Sequence, residues 1–207
     1  QSCSTSSTQA AFRPQSYEEL KEAAMACIQM SPVGDCSEGL YGPIGHWDVS
    51  SATSMVTMFS GASKFNQDLS KWNVSQVINM HRMFYQASAF NQDLSKWNVG
   101  KVLNMGHMFF GAFSFNQELS KWNVGKVTNM ESMFFQASAF NGKISQWDVS
   151  QVTTMFNLFN GAHSFNQDLS NWNVGQVTNM CNGFQNIKSF NQDLANWNVG
   201  QVTIMQG

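Results

Sequence analysis

The chain has 207 residues, 43% of them hydrophobic and only 12% charged, with a net charge of −2. That balance gives no electrostatic basis for nucleic-acid or anionic-membrane binding, and no apolar run approaches the ~18 residues of a membrane span, so direct membrane insertion is not expected. Abundant Asn, Gln, Ser and Thr predict a surface that is polar through uncharged groups, which suits close, hydrogen-bonded stacking.

In chain order, residues 1–15 open with "QSCSTSSTQA", which has no apolar periodicity. This stretch reads as a disordered leader, a trimmed mature terminus or an expression remnant. Residues 16–45 are expected to form an N-terminal helical cap. Ser16 stands three residues before Glu19, a pairing that satisfies free N–H groups at a helix start. Leu20, Ala23, Ala24, Cys27 and Ile28 then recur at helical spacing and give one apolar face to lay on the first repeat. Cys27 and Cys36 close a short loop containing Pro32 and Gly34; in an extracellular protein they form a disulfide, and otherwise they are two buried thiols. Cys3 and Cys181 lie too far apart in the pattern to be expected as partners of each other, and the absence of any CxxC pair speaks against zinc.

From 46 to 207 one phrase governs the chain. "FNQDLSKWNV" at residue 65 returns, with small changes, at 90, 115, 140, 165 and 190, and the seven tryptophans, from Trp47 to Trp197, define seven registers, the last cut short at Gly207. A fixed period of this length signals an array whose units stack because none can bury its apolar face alone. Each unit is predicted to contain a short strand around "QDLSKW", a turn at "NVSQ", a helical stretch near 76–85 and a further turn. Strands stacked ~4.8 Å apart would give a rod roughly 30 Å long. Gly61, Gly111 and Gly161 fall where a left-handed residue would end the helical stretch, with Gln or Asn in the other units. Asn66, Asn91, Asn116, Asn141, Asn166 and Asn191 are expected to form an internal ladder satisfying backbone groups.

The pattern W-[ND]-V-x-x-V-T-x-M-x-x-M-F-x-x-A-x-x-F-N-x-x-[LI]-S resembles the BspA-like surface-protein repeats, a 25-residue class related to bacterial leucine-rich repeats. "YEELKEAAMAC" followed by "YGPIGHWDVSSATSM" resembles the cap that often precedes such arrays. The resemblance covers about 16–207 and implies an α/β solenoid, a right-handed leucine-rich-repeat-like stack. It further implies a secreted or cell-surface location, a role in adhesion or protein binding, and no catalytic residues to carry over.

Several residue sets could carry chemistry. The methionines fall mostly in two columns, Met55 through Met205 and Met58 through Met133, the spacing of core filling. His46, His81, His107 and His163 occupy four different positions of the repeat, so stacking does not align them into a metal row, and neither a metal nor any other cofactor is expected. No GxSxG elbow or phosphate loop accompanies the serines. Asp68, Asp93, Glu118, Asp168 and Asp193 form an acidic column with Lys71, Lys96 and Lys121 three residues on; charge pairing is favoured over a calcium row, which Lys143 would interrupt. Asn73 begins the one "NVS" sequon and is a glycosylation candidate in a secretory pathway.

The sharpest functional candidate is where the units differ. On a helical projection Tyr85, Phe110 and Phe135 point away from the core, and Ile78 and Leu103 replace a usual Thr nearby, so these five are expected to make one contiguous apolar patch. The alternative is that the aromatics fold down and complete the packing. A rival site is the polar strand face: Gln67, Asp68, Ser70, Gln92, Asp93, Ser95, Gln117, Glu118 and Ser120. The reading is an extracellular or cell-surface, non-enzymatic adhesion or interaction module for a cell-surface or extracellular protein. Its alternative is a glycan-binding or ice-binding solenoid using the strand face, with Thr128, Thr153, Thr178 and Thr203 aligned. The final "QVTIMQG" lacks a polar cap, so a truncated chain, an end-to-end dimer through that coil or a short improvised cap is expected.

Overall fold

A computed structural model describes residues 11–206. Helix α1, Tyr17–Met30, starts where Ser16 Oγ accepts the Glu19 N–H at 3.1 Å. Glu19 returns the contact one residue earlier than the sequence pattern implies, its Oε2 accepting the Gln15 N–H at 2.6 Å. The helix buries Leu20, Ala23, Ala24 and Cys27. It is tied to the first unit by Tyr17 Oη donating to Val56 O and Lys21 Nζ donating to Thr57 Oγ1. Cys27 and Cys36 are joined as a disulfide, with Cα atoms 5.4 Å apart. A single 3₁₀ turn, Ile44–His46, leads into Trp47.

Part of the expected leader is packed. The Phe12 ring lies 4.3 Å from Tyr41 and 5.2 Å from Trp47, Phe12 O accepts the Asp48 N–H, and Arg13 pairs with Asp48 at 3.4 Å. Cys3 lies outside the described residues.

After the cap, successive units lie one on another with residues 25 apart in register. Parallel bridges join Ser54 to Asn79, Asn79 to Asn104, Asn104 to Asn129, Asn129 to Thr154, Thr154 to Asn179 and Asn179 to Ile204. The extended pairing therefore sits at Asn79 and its equivalents, not at "QDLSKW". The expected helical stretch near 76–85 is a series of turns instead. Met83, Tyr85 and Ala87 donate backbone N–H groups to carbonyls three residues back, while Met80, Arg82, Phe84 and Gln86 donate to Asn104, Gly106, Met108 and Phe110 of the next unit. Left-handed residues four apart, Arg82 and Gln86, both at φ 56°, reverse the chain each time. A four-residue turn repeat places apolar side chains at spacings of three and four, which a helix would also do. Gly61, Gly111 and Gly161 hold the second left-handed position at φ 65–77°, and Gln86, Gln136 and Asn186 hold it elsewhere.

Inside the stack runs an aromatic spine. Phe84 and Phe90 stack within a unit at 4.0 Å, and Phe90 meets Phe115 of the next unit at 6.0 Å. Each tryptophan indole from Trp72 to Trp197 donates to a carbonyl 28 residues earlier, as Trp97 does to Leu69 O at 3.0 Å and Trp122 to Leu94 O at 2.9 Å, whereas Trp47 donates within the cap, to Tyr41 O and Gly42 O. The methionine columns are buried from Met55 to Met180, while Met205 at the final edge is 59% exposed. There Phe190, Leu194 and Trp197 are only half-buried.

Candidate functional site

Most repeated polar side chains are occupied by the stack itself. Asn66, Asn91, Asn116, Asn141 and Asn166 each accept, through Oδ1, the backbone N–H of the equivalent Asn in the next unit at 2.8–2.9 Å. Thr128, Thr153, Thr178 and Thr203 are exposed, and each donates its hydroxyl to a carbonyl of the preceding unit. Asn73 is exposed, with Oδ1 accepting the Ser75 N–H at 3.1 Å.

The polar strand face is likewise committed to local turns. Asp68, Asp93 and Asp168 accept the N–H of Ser70, Ser95 and Ser170 at 2.8–2.9 Å, and Asp193 accepts that of Ala195. The Ser70 hydroxyl and N–H hold Asp68 below the ordinary carboxylate range, with smaller help from Lys71 and Lys96. For Asp93 the order is the N–H and then the hydroxyl of Ser95. The expected pairing of this column with lysines is thus replaced by serine contacts: among the described residues, ion pairs within 4 Å are Arg13 with Asp48 and His107 with Glu131. Glu118, one methylene longer, makes no such bond to Ser120 among the described residues. Gln117 and Gln167 reach the ladder residues Asn91 and Asn141, and Gln67 Nε2 reaches Val33 O, whereas Gln92 has no such bond among the described residues.

The aromatic departures behave differently. Tyr85 and Phe110 rings stack at 4.6 Å, Phe110 and Phe135 at 4.4 Å. All three are half-buried and lie outside the hydrophobic core cluster. Ring stacking joins these three members of the expected five-residue patch. Ile78 and Leu103, 43% and 44% exposed, stand before the bridge residues in the column that Thr128 and Thr153 continue. Two turns separate that column from Tyr85, because the backbone between them is not helical. Beyond Phe135 the ladder gives way to buried Asn160, whose Nδ2 donates to Asn157 Oδ1 and Gln185 Oε1.

Beside the ladder the structure unites residues that column reasoning kept apart. His81 and His107 are 26 residues apart, and their rings meet edge to face at 5.3 Å. Gly106 makes this possible: a Cβ there would sit 3.1 Å from His81 Nδ1. The His107 ring is 5.8 Å from Phe110 and 6.5 Å from Tyr85, its Nε2 is 3.6 Å from Glu131 Oε1, and the Arg82 guanidinium lies over the Tyr85 ring at 5.3 Å. Nδ1 of both histidines is buried without a hydrogen-bond partner. Burial lowers both imidazoles from their ordinary pKa; Arg82 adds to this for His81, and Glu131 opposes it for His107. The signal in the sequence was a diagonal one, His at one position and His at the next position of the next unit, with Gly between. Elsewhere, His46 is exposed beside the cap and His163 Nδ1 lies 2.8 Å from Asn186 O. Cys181 is half-buried and a free thiol. Among the described residues no group of three or more His, Cys, Asp or Glu is arranged to hold a metal ion.

The sequence profile of the family described as "Mycoplasma protein of unknown function, DUF285" matches residues 28–141 and, overlapping, 116–207. The two matches reflect the repeats. No curated protein and no solved structure matches the chain.

Proposed function

Because the chain belongs to the DUF285 family, a repeat family that brings no activity with it, we propose its function from its own surface: a non-catalytic adhesion or protein-interaction module. The observation that carries this reading is the Tyr85–Phe110–Phe135 ladder, three stacked aromatics outside the core in consecutive units. Half-exposed aromatics with an arginine beside them are the residue types that dominate protein–protein contact energies. The proposed fold is a right-handed, leucine-rich-repeat-like solenoid of the BspA-like kind with its α-helix in the cap, supported by the 25-residue register of its bridges. The proposed setting is secreted or cell-surface, where a Cys27–Cys36 disulfide is stable, and the proposed partner is an extracellular or cell-surface protein.

The test is a binding screen of the intact chain against arrayed cell-surface proteins and glycans, with Phe110→Ser and Asp93→Ala beside it. The expected result is a protein hit that Phe110→Ser weakens at least tenfold and Asp93→Ala leaves intact, with circular dichroism showing both variants folded. A glycan hit lost only with Asp93→Ala would overturn the reading and move the site to the strand face.

A further inference from the structure

Two kinds of departure from the repeat coincide in space. Two of the three units that carry the aromatic ladder also carry the His81–His107 pair, and the pair touches the ladder. We propose that the His81–His107 cluster is an acid-sensitive latch on the ladder, closed when both imidazoles are neutral and opened when they take up protons, so that the binding surface is dismantled on acidification. The functional consequence rests on the binding reading above; the latch itself does not.

The geometry gives the mechanism. In the closed state two rings pack edge to face at 5.3 Å with both Nδ1 atoms buried and unpartnered. Protonation turns each unpartnered Nδ1 into an obligatory charged donor; the acceptor beside His81, the Gly106 carbonyl, already takes the Arg82 N–H, so the charge carries a cost that opening to water relieves. The charged groups facing the pair are Arg82, which repels both imidazolium rings, and Glu131, which attracts both and lies 3.6 Å from His107 Nε2. A single carboxylate cannot offset three cations, and Tyr85 and Phe110, the remaining neighbours, offer ring faces and edges only. Asn104 and Asn129 turn their Oδ1 atoms toward the same gap at Gly106, yet both already accept backbone N–H groups, of Gly106 and Glu131.

The direction follows from linkage. Histidines in an opened segment titrate near ~6.5, and those in the closed latch titrate lower because of burial. Between the two values the open form binds more protons than the closed one. Latch stability is therefore complete above the open-state value and is lost as pH falls from there through the closed-state values.

The experiment is residue-resolved amide hydrogen exchange on the free, intact chain, with opening constants corrected for intrinsic pH effects. The reporters are Arg82 and Gln86, whose N–H groups donate to Gly106 O and Phe110 O, and Asn157, which makes the equivalent bond to Cys181 O two units beyond His107, serves as the internal control. Lowering the pH from about 7 to about 5.5 is expected to raise the opening constants of Arg82 and Gln86 about tenfold and to leave Asn157 unchanged. His81→Val with His107→Asn is expected to abolish the response. Both replacements are residues the chain itself uses at these positions: Val56 for the first, and Asn157 and Asn182, left-handed at φ 54° where His107 is at 56°, for the second. Opening constants that do not move, or that rise equally at Asn157 or in the double variant, would overturn the latch. An empty partner screen at neutral pH would instead sink the binding reading and leave this result standing.

Discussion

Trp122→Phe isolates one bond of the stack. The Trp122 indole is 3% exposed, donates to Leu94 O at 2.9 Å and stacks on Trp147 at 6.3 Å with planes 2° apart. Phenylalanine keeps an aromatic ring and removes the donor. Leu94 O is not left empty, since the Trp97 N–H also donates to it at 3.0 Å, so the lost bond is worth about 1 kcal/mol rather than a full desolvation penalty. The smaller ring leaves a partial cavity costing a further ~1–2 kcal/mol, for a total of about 2–3 kcal/mol. Trp197 makes the same bond to Leu169 O at 2.9 Å, yet its ring is only half-buried at the last stacked unit. Water can replace that indole, so Trp197→Phe should cost less than half as much. Urea unfolding of the two variants measures the difference, provided fluorescence and far-ultraviolet dichroism give coincident transitions, because repeat stacks can unfold in steps. Equal costs at the two sites, or a Trp122→Phe cost below about 0.5 kcal/mol, would refute the idea that the indole bonds hold the units together.

Two further expectations concern local geometry. Glu118→Asp should raise stability by about 0.5–1 kcal/mol, because Asp68, Asp93 and Asp168 close a turn onto the second following N–H that the longer Glu118 does not reach; a shift in urea midpoint in the opposite direction would count against this. Gly34→Ala should cost about 2–4 kcal/mol, combining a left-handed backbone with overpacking: Gly34 is buried at φ +87°, and an added Cβ would lie 2.5 Å from the Phe65 ring. Thermal unfolding would detect it as a lowered midpoint, and an unchanged one would mean that cap and first unit are not rigidly joined.

What the sequence made legible was whatever acts along a column. The Phe65, Trp72, Met80 and Asn66 series read directly because a residue and its copy 25 positions on meet in space, so one identity predicts a whole row of contacts. The path of the chain between Met80 and Ala87 was not legible, since turns four residues long and a helix place apolar groups at the same spacings. That error reached the site: a helical projection put Ile78 and Tyr85 on one face, whereas the chain between them runs through turns and the left-handed residue Arg82. The histidine pair escaped for a different reason. Comparing columns detects contacts between residues 25 apart, and the His81–His107 contact is a diagonal of 26 that exists because Gly106 has no side chain.

The consumption of the repeated side chains limits where recognition can reside. A ladder asparagine such as Asn91 cannot turn to a partner without stripping the next unit of a backbone acceptor, and Asp93 cannot do so without releasing the Ser95 N–H. The phrase that makes the chain stack is therefore poorly suited to tell one partner from another, because every unit would present the same answer and lose stability in giving it. Positions free of this duty are the ones free to vary. The column that runs Ser60, Tyr85, Phe110, Phe135, Asn160 and Gln185 is such a position. Its three aromatics satisfy one another by stacking, and Asn160 joins a local amide cluster with Asn157 and Gln185. A surface that changes chemistry along one column while the scaffold beneath stays constant can be read by a partner in register, one unit at a time. The histidines at its aromatic end add sensitivity to protons where the column is least polar and an imidazolium charge hardest to accommodate.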